Sequence, residues 1–291
     1  MSETELVQLL DDRVRRPGRI AELAVGRERP TSAVGASGRL MLVAADHPAR
    51  GALRAGDQPL AMADRWGLLQ RLSIALSRPG VDGVLATADI VEDLLLLGAL
   101  EGKVVIGSMN RGGLAGTSFE IDDRFTGYDA EAIERSGFQG GKMLLRIDPD
   151  DPATAPTLEA CANAVSALAQ RSLMAIVEPF ISHRVDGRVR NDLTAEAVIR
   201  SATVASGLGS TSAHTWLKLP VVDGMSDVLA ATTLPVLLLG GEVGSDQRAQ
   251  FAQWSEALAS PQVKGMVVGR TLLYPPDGDV AAAVDATVEM M

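Results

Sequence analysis

The sequence predicts a single α/β domain, a (β/α)8 TIM barrel behind a helical N-terminal extension, and three observations predict it. From residue 39 onward short apolar runs alternate with helical stretches eight times, and no break in composition divides the chain. The glycine-rich first turn that marks an open doubly wound sheet is missing after Ala45. The extension covers residues 1–38 and the barrel residues 39–291.

The elements follow in order. Residues 3 to 28 read as one or two amphipathic helices interrupted at Pro17-Gly18. Strands are expected over Leu40–Ala45, Gly83–Thr87, Lys103–Met109, Lys142–Ile147, Met174–Phe180, Thr215–Leu219, Pro235–Leu239 and Gly265–Val268. Helices are expected near 62–77, 88–100, 129–136, 154–171, 193–206, 223–231, 246–259 and 279–290, which gives every strand its returning helix.

At 291 residues and 30.5 kDa the chain buries a large core, and 46% apolar with 22% charged residues fits a soluble globular protein. A net charge of -10 argues against a polyanion-binding surface, so nucleic acid is not an expected partner and a cytoplasmic setting is. Cys161 is the only cysteine, which rules out an internal disulfide and leaves it as a small apolar helix residue. Met1 to Glu5 is acidic and lacks the apolar core of a signal peptide, and the run Leu94–Leu97 stops at Gly98 and Glu101, so no membrane partner is expected. His47, His183 and His214 lie far apart without metal-ligand spacing; no transition-metal site and no cofactor are expected, although carboxylates suit a hard cation.

Side chains alternate across a strand, so each charged residue in an apolar run has a defined face. Asp46 falls opposite Met41, Val43 and Ala45; Lys142 and Arg146 fall opposite Met143, Leu145 and Ile147; Glu178 shares the face of Met174 and Ile176; Lys218 lies opposite Leu217 and Leu219. Two acids and two lysines are thereby aimed into one barrel, where unpaired charges would cost several kcal/mol apiece. The chain has only four lysines, Lys103, Lys142, Lys218 and Lys264, and otherwise uses arginine for basic charge. A desolvated lysine can lose its proton and become a nucleophile, which arginine cannot. A lysine beside a second cation in a dry pocket, with a carboxylate to move protons, suits attack on a carbonyl and Schiff-base chemistry.

Ala45-Asp46-His47 on the first strand, Gly141-Lys142 on the fourth, Ile176-Val177-Glu178-Pro179 on the fifth and Leu217-Lys218-Leu219-Pro220 on the sixth carry a resemblance. Gly240-Gly241 after the seventh strand and Val268-Gly269-Arg270 after the eighth complete it. Together, over residues 40–274, they resemble the strand-end motifs of metal-independent class I (Schiff-base) aldolases, nearest the fructose- and tagatose-bisphosphate branches. They are also similar to an actinobacterial barrel family associated with inositol catabolism. The resemblance implies Lys218 as the Schiff-base residue, Glu178 as general acid/base, Lys142 as its assistant and Asp46 as the group that orients or deprotonates a substrate hydroxyl. It implies a phosphate held by Arg270 with the backbone of Gly240, Gly241 and Gly269, and Arg146 as a further substrate contact. A small sugar-phosphate-like substrate, no cofactor and a homo-oligomer are the corresponding expectations. Glycines in the last two loops also suit an anion on their own account, because they permit close backbone approach.

Two positions depart from the pattern. Leu239 stands where such aldolases often carry a serine, removing one phosphate-binding hydroxyl, and Pro48 replaces the glycine after Asp-His, stiffening that loop. The glycine-rich loop Asn110–Thr117, which carries one cation, Arg111, reads as a substrate lid, a phosphate contact or a plain flexible loop, and the basic stretch Ser182–Arg190 as an edge of the site mouth that attracts an anionic substrate. A class I aldolase acting on a phosphorylated keto sugar or keto acid is the leading expectation. A transaldolase- or thiolase-like transferase, or a silent sugar-phosphate-binding barrel, fits the same residues.

Overall fold

In a computed structural model, residues 2–35, 37–241 and 247–291 are described. The chain forms β1 (Leu40–Ala44), β2 (Gly83–Ala86), β3 (Val104–Ser108), β4 (Gly140–Ile147), β5 (Met174–Val185), β6 (Arg188–Asn191), β7 (Thr215–Leu219), β8 (Val236–Leu239) and β9 (Val263–Val268). Eight of these pair in parallel around a ring, with β4 on β5 and β1 on β9 closing it, so the fold is a (β/α)8 barrel. β6 is extra: it folds back antiparallel on the extended end of β5, and the sixth strand of the ring is therefore β7.

That hairpin is not among the sequence expectations, although its signal is present. Asp186-Gly187 sits between alternating residues, and both adopt the left-handed conformation, φ 51° and 75°, that a tight hairpin turn requires. The helix after it begins at Ala195, two residues later than the sequence suggests.

Two helices precede the barrel, α1 (Glu3–Arg15), opened by a Ser2–Glu5 capping box, and α2 (Gly18–Gly26), begun after Pro17. Around the ring lie α3 (Arg65–Ser77), α4 (Ala88–Leu96), α5 (Ala130–Arg135), α6 (Thr154–Ala169), α7 (Ala195–Ser206), α8 (Met225–Ala230), α9 (Gln247–Leu258), α10 (Arg270–Leu273) and α11 (Val280–Val288). The start expected at 246 lies outside the described residues. The leader packs on the outside of the barrel. Arg13 pairs with Glu92 and Asp93 on α4, and buried Arg27 donates to the carbonyls of Leu100, Lys103 and Gly137, which precede β3 and β4.

Strand alternation divides the core in two. Met41, Val43, Met143, Leu145, Val177, Leu217, Leu219 and Val268 face outward into the helix layer. Leu40, Leu42, Ala44, Leu85, Val104, Ile106, Met174, Ile176, Leu237 and Val267 face inward and fill the lumen, with Trp216 against them. Among the described residues no helix is long and apolar enough to cross a membrane. Cys161 is buried in α6, where burial pushes its thiol up to about 12, so it packs as an uncharged side chain.

Candidate active site

Above the apolar lumen the inward face of the same strands turns charged. Asp46, two residues past β1, Lys142 on β4, Glu178 on β5 and Lys218 on β7 are all buried and meet at one point. The Lys218 amine stands 2.8 Å from Glu178 Oε1, Lys142 pairs with Oε2 of the same carboxylate, and the Lys142 amine lies 3.3 Å from Asp46 Oδ2. The four charges thus form a chain, Lys218 to Glu178 to Lys142 to Asp46.

The chain ends on the one cation of the Asn110–Thr117 loop, which the sequence offered as a phosphate contact and the structure pairs with a carboxylate. Arg111, from the loop after β3, sets Nη2 2.8 Å from Asp46 Oδ2 and donates from Nη1 to the Asp46 carbonyl at 3.0 Å. Ser108 Oγ donates to the same Asp46 oxygen at 3.1 Å. The Asn110–Thr117 loop is neither a free lid nor a loose connection. Arg50 donates to the carbonyls of Gly113 (2.7 Å) and Asn110 (2.9 Å) and pairs with Asp123, while the Asn110 side chain clasps the backbone of Leu144 on β4. The only advance signal was two arginines and a run of acids at 120–123 in neighbouring loops, with no pairing written into their spacing.

Electrostatics follow from burial and pairing. Burial alone would raise Asp46, but Arg111 and Lys142 outweigh it and hold the carboxyl well below the usual carboxylate range. Glu178 is likewise opposed by burial and lowered by Lys142 and Lys218, so it is a carboxylate at neutral pH. Burial pulls Lys142 down to about 8 even though Asp46 and Glu178 resist. Beside them His47 is held down to about 3 by burial against the pull of Asp46, and is therefore neutral, with Nδ1 3.8 Å from Asp46 Oδ1.

This cluster floors a cavity of about 540 Å³ at the C-terminal end of the barrel, the size of a small-ligand site. Arg146, Gly240, Gly241, Gly269 and Arg270, named from sequence, all line it, as do Arg190 and Asn191 of the β5–β6 hairpin. Two of the glycines have a packing reason of their own. A Cβ on Gly240 would lie 2.4 Å from Val268 Cγ1, and one on Gly269 would lie 2.6 Å from the Ala44 carbonyl oxygen. Arg146 sets Nη2 3.0 Å from Glu120 Oε1, and Arg270 donates to the Arg54 carbonyl at 3.3 Å.

Comparison with known proteins follows the geometry. No curated protein sequence is a match to the chain. The crystal structure of Cgl0159 from Corynebacterium glutamicum (Brevibacterium flavum) is similar over 100% of this chain and 97% of that one, with 53% identity and a TM-score of 0.97. A Schiff-base-forming fructose-1,6-bisphosphate aldolase is similar over 93% of this chain and 99% of that one, with 19% identity and a TM-score of 0.63. An archaeal fructose 1,6-bisphosphate aldolase gives 93% and 98%, with 18% identity and a TM-score of 0.63. At that identity the aldolases share the fold with this chain. The sequence profile of one family, described as Cgl0159-like, matches residues 38–288, and the chain therefore belongs to the Cgl0159-like family.

Proposed function

We propose that the chain is a class I, metal-independent aldehyde-lyase that forms a Schiff base on Lys218 with the ketone of a phosphorylated keto sugar or keto acid. It then makes or breaks the adjacent carbon–carbon bond. The observation that carries this reading is the Lys218 amine 2.8 Å from a carboxylate that a second buried amine shares. The resemblance to a barrel family of inositol catabolism supports a polyhydroxylated, phosphorylated ketone as substrate.

Proton movement follows from the chain of charges. Before Lys218 can attack, its amine must give a proton to Glu178, and Lys142, neutral in roughly one tenth of molecules at pH 7 from a value of about 8, accepts the excess. Addition gives a carbinolamine. Lys142 hands that proton back through Glu178 to the carbinolamine hydroxyl, water leaves as the nitrogen lone pair forms the iminium, and the iminium withdraws electrons from the neighbouring carbon–carbon bond as that bond breaks. Asp46, kept ionised by Arg111 and Lys142, orients the substrate hydroxyl, whose proton passes to the Glu178 carboxylate as the bond breaks and then to the enamine carbon that is left, before water hydrolyses the iminium. Arg270 and the backbone of Gly240, Gly241 and Gly269 hold a phosphate, and Arg146 makes a further substrate contact.

The test is oxygen exchange. A ketose phosphate labelled with ¹⁸O at its ketone should lose the label to water in the presence of the protein and keep it with Lys218→Met. Retention of label with the unaltered protein, for every ketose phosphate it binds, would remove the Schiff base from the account.

A further inference from the structure

One ring in the cavity takes no part in the proton movements above. The chain has three histidines, and of these His47 lines the cavity. Its surroundings hold it in place. Pro48–Arg50 follow it as one turn of 3-10 helix, and Arg50 is tied to the carbonyls of Asn110 and Gly113. The ring lies against the backbone of Gly269, where a Cβ would come within 3.2 Å of His47 Cε1.

The two ring nitrogens differ in their surroundings. Nδ1 is sealed from solvent and has no hydrogen-bond partner; Asp46 Oδ1, 3.8 Å away, is too far for a hydrogen bond but near enough to favour a proton on that nitrogen. Nε2 makes no hydrogen bond within the protein either, yet it is not sealed, so it is the nitrogen that opens on the cavity the ring lines. With the proton on Nδ1, a neutral imidazole presents a lone pair at Nε2 and needs a donor there. Phosphate and carboxylate oxygens bring no such hydrogen at neutral pH, and an ammonium would have to join Lys218 and Arg270, whose charges already act on the ring. A hydroxyl is the donor that remains on a sugar-like ligand.

We propose that His47 is a specificity-determining residue whose Nε2 accepts a hydrogen bond from a substrate hydroxyl on the carbon next to the one that Lys218 attacks. This hydroxyl is distinct from the one that Asp46 orients, and it keeps its hydrogen throughout. Ketones in which that carbon is a bare methyl or methylene are then poor ligands, which decides between a keto sugar and a simple keto acid. The inference deepens the aldolase proposal and rests on it for where the reacting carbon lies, but not for the hydroxyl preference itself.

Two phosphates without a ketone separate the two ideas, because neither can form an imine: glycerol 3-phosphate and propane-1,2-diol 1-phosphate, which lacks the end hydroxyl. Titration of the full chain should show glycerol 3-phosphate binding about fivefold tighter. His47→Asn, which leaves the place of Nε2 empty, should bring the two within about twofold, and His47→Gln, whose amide oxygen reaches that place, should restore most of the difference. The unaltered chain gives a second readout that does not depend on how the variants fold. Labelled with ¹⁵N histidine it has three ring signals, and the one from His47 should report a proton on Nδ1 at pH 7 and an Nε2 signal that moves with glycerol 3-phosphate and not with the diol phosphate. No binding, equal binding of the two probes, equal losses for both in His47→Asn, or a proton on Nε2 of the free protein would overturn the proposal. A missing Lys218 adduct would instead overturn the aldolase reading and leave the hydroxyl preference standing.

Discussion

The two ends of the barrel lumen are built by the same face of the same strands and differ in almost nothing but side-chain chemistry. On β1 Leu40, Leu42 and Ala44 point inward and Asp46 follows them; on β5 Met174 and Ile176 give way to Glu178; on β7 Lys218 stands above Trp216. Dryness does not separate the ends, since Lys142 and Asp46 are 2% exposed and Ile176 0%. Pairing does. The lower end gains stability in proportion to the apolar area it hides, about 25 cal/mol per Å². Two buried amines and two carboxylates repay their desolvation only by meeting one another, and apolar residues of the same volume would often be as stable. Stability therefore does not account for the upper end, and the two ends should respond differently to substitution.

The sharpest contrast is Asp46→Asn, which leaves Arg111 buried without its opposite charge. We expect a loss of about 3–5 kcal/mol in chemical denaturation, together with loss of activity; an unchanged denaturation midpoint would mean that Asp46 and Arg111 do not hold each other. Next in size, Leu40→Ala at the start of β1, in the lower lumen, should cost about 2–5 kcal/mol by opening a cavity, while the molecules that remain folded keep their turnover. Selective loss of turnover at full stability would erase the distinction between the ends. The smallest effect is on pH dependence. Because Lys142 must be neutral to accept a proton and burial puts it at about 8, kcat/KM should rise as pH increases through about 8 and level off above it. Between pH 7 and pH 9 the gain should be about tenfold. A profile that is flat or falling over that interval would show that Lys142 does not serve as the acceptor.

Much of this arrangement was legible because strands repeat every two residues and because charged residues inside apolar runs are conspicuous. Parity alone put Asp46, Lys142, Arg146, Glu178 and Lys218 on the inward face, and all five line the cavity. The pairing of Arg111 with Asp46 was not legible because nothing local aims that cation: it lies in a glycine-rich loop whose path is set by Arg50, Asp123 and the Asn110 clasp on β4, contacts that span 34 to 73 residues of chain. His47 was visible as part of a motif, but its neutrality depends on burial that the motif does not record. Gly240 and Gly269 read as anion-loop glycines, and the structure supplies a steric reason beside that one, in the contacts of Val268 and Ala44. The β5–β6 hairpin was legible in Asp186-Gly187 but was read for its charge, which hid its turn.

The central claim is a covalent bond between one nitrogen and a substrate carbon, and borohydride reduction reads it directly. The protein is incubated with ketose phosphates and keto-acid phosphates, reduced, digested and mapped by mass spectrometry. The account predicts a single reduced adduct on the peptide that carries Lys218, absent in Lys218→Met and still formed in Lys142→Met at a lower rate. An adduct on Lys142 alone, or turnover of a substrate with no adduct on either lysine, would contradict it.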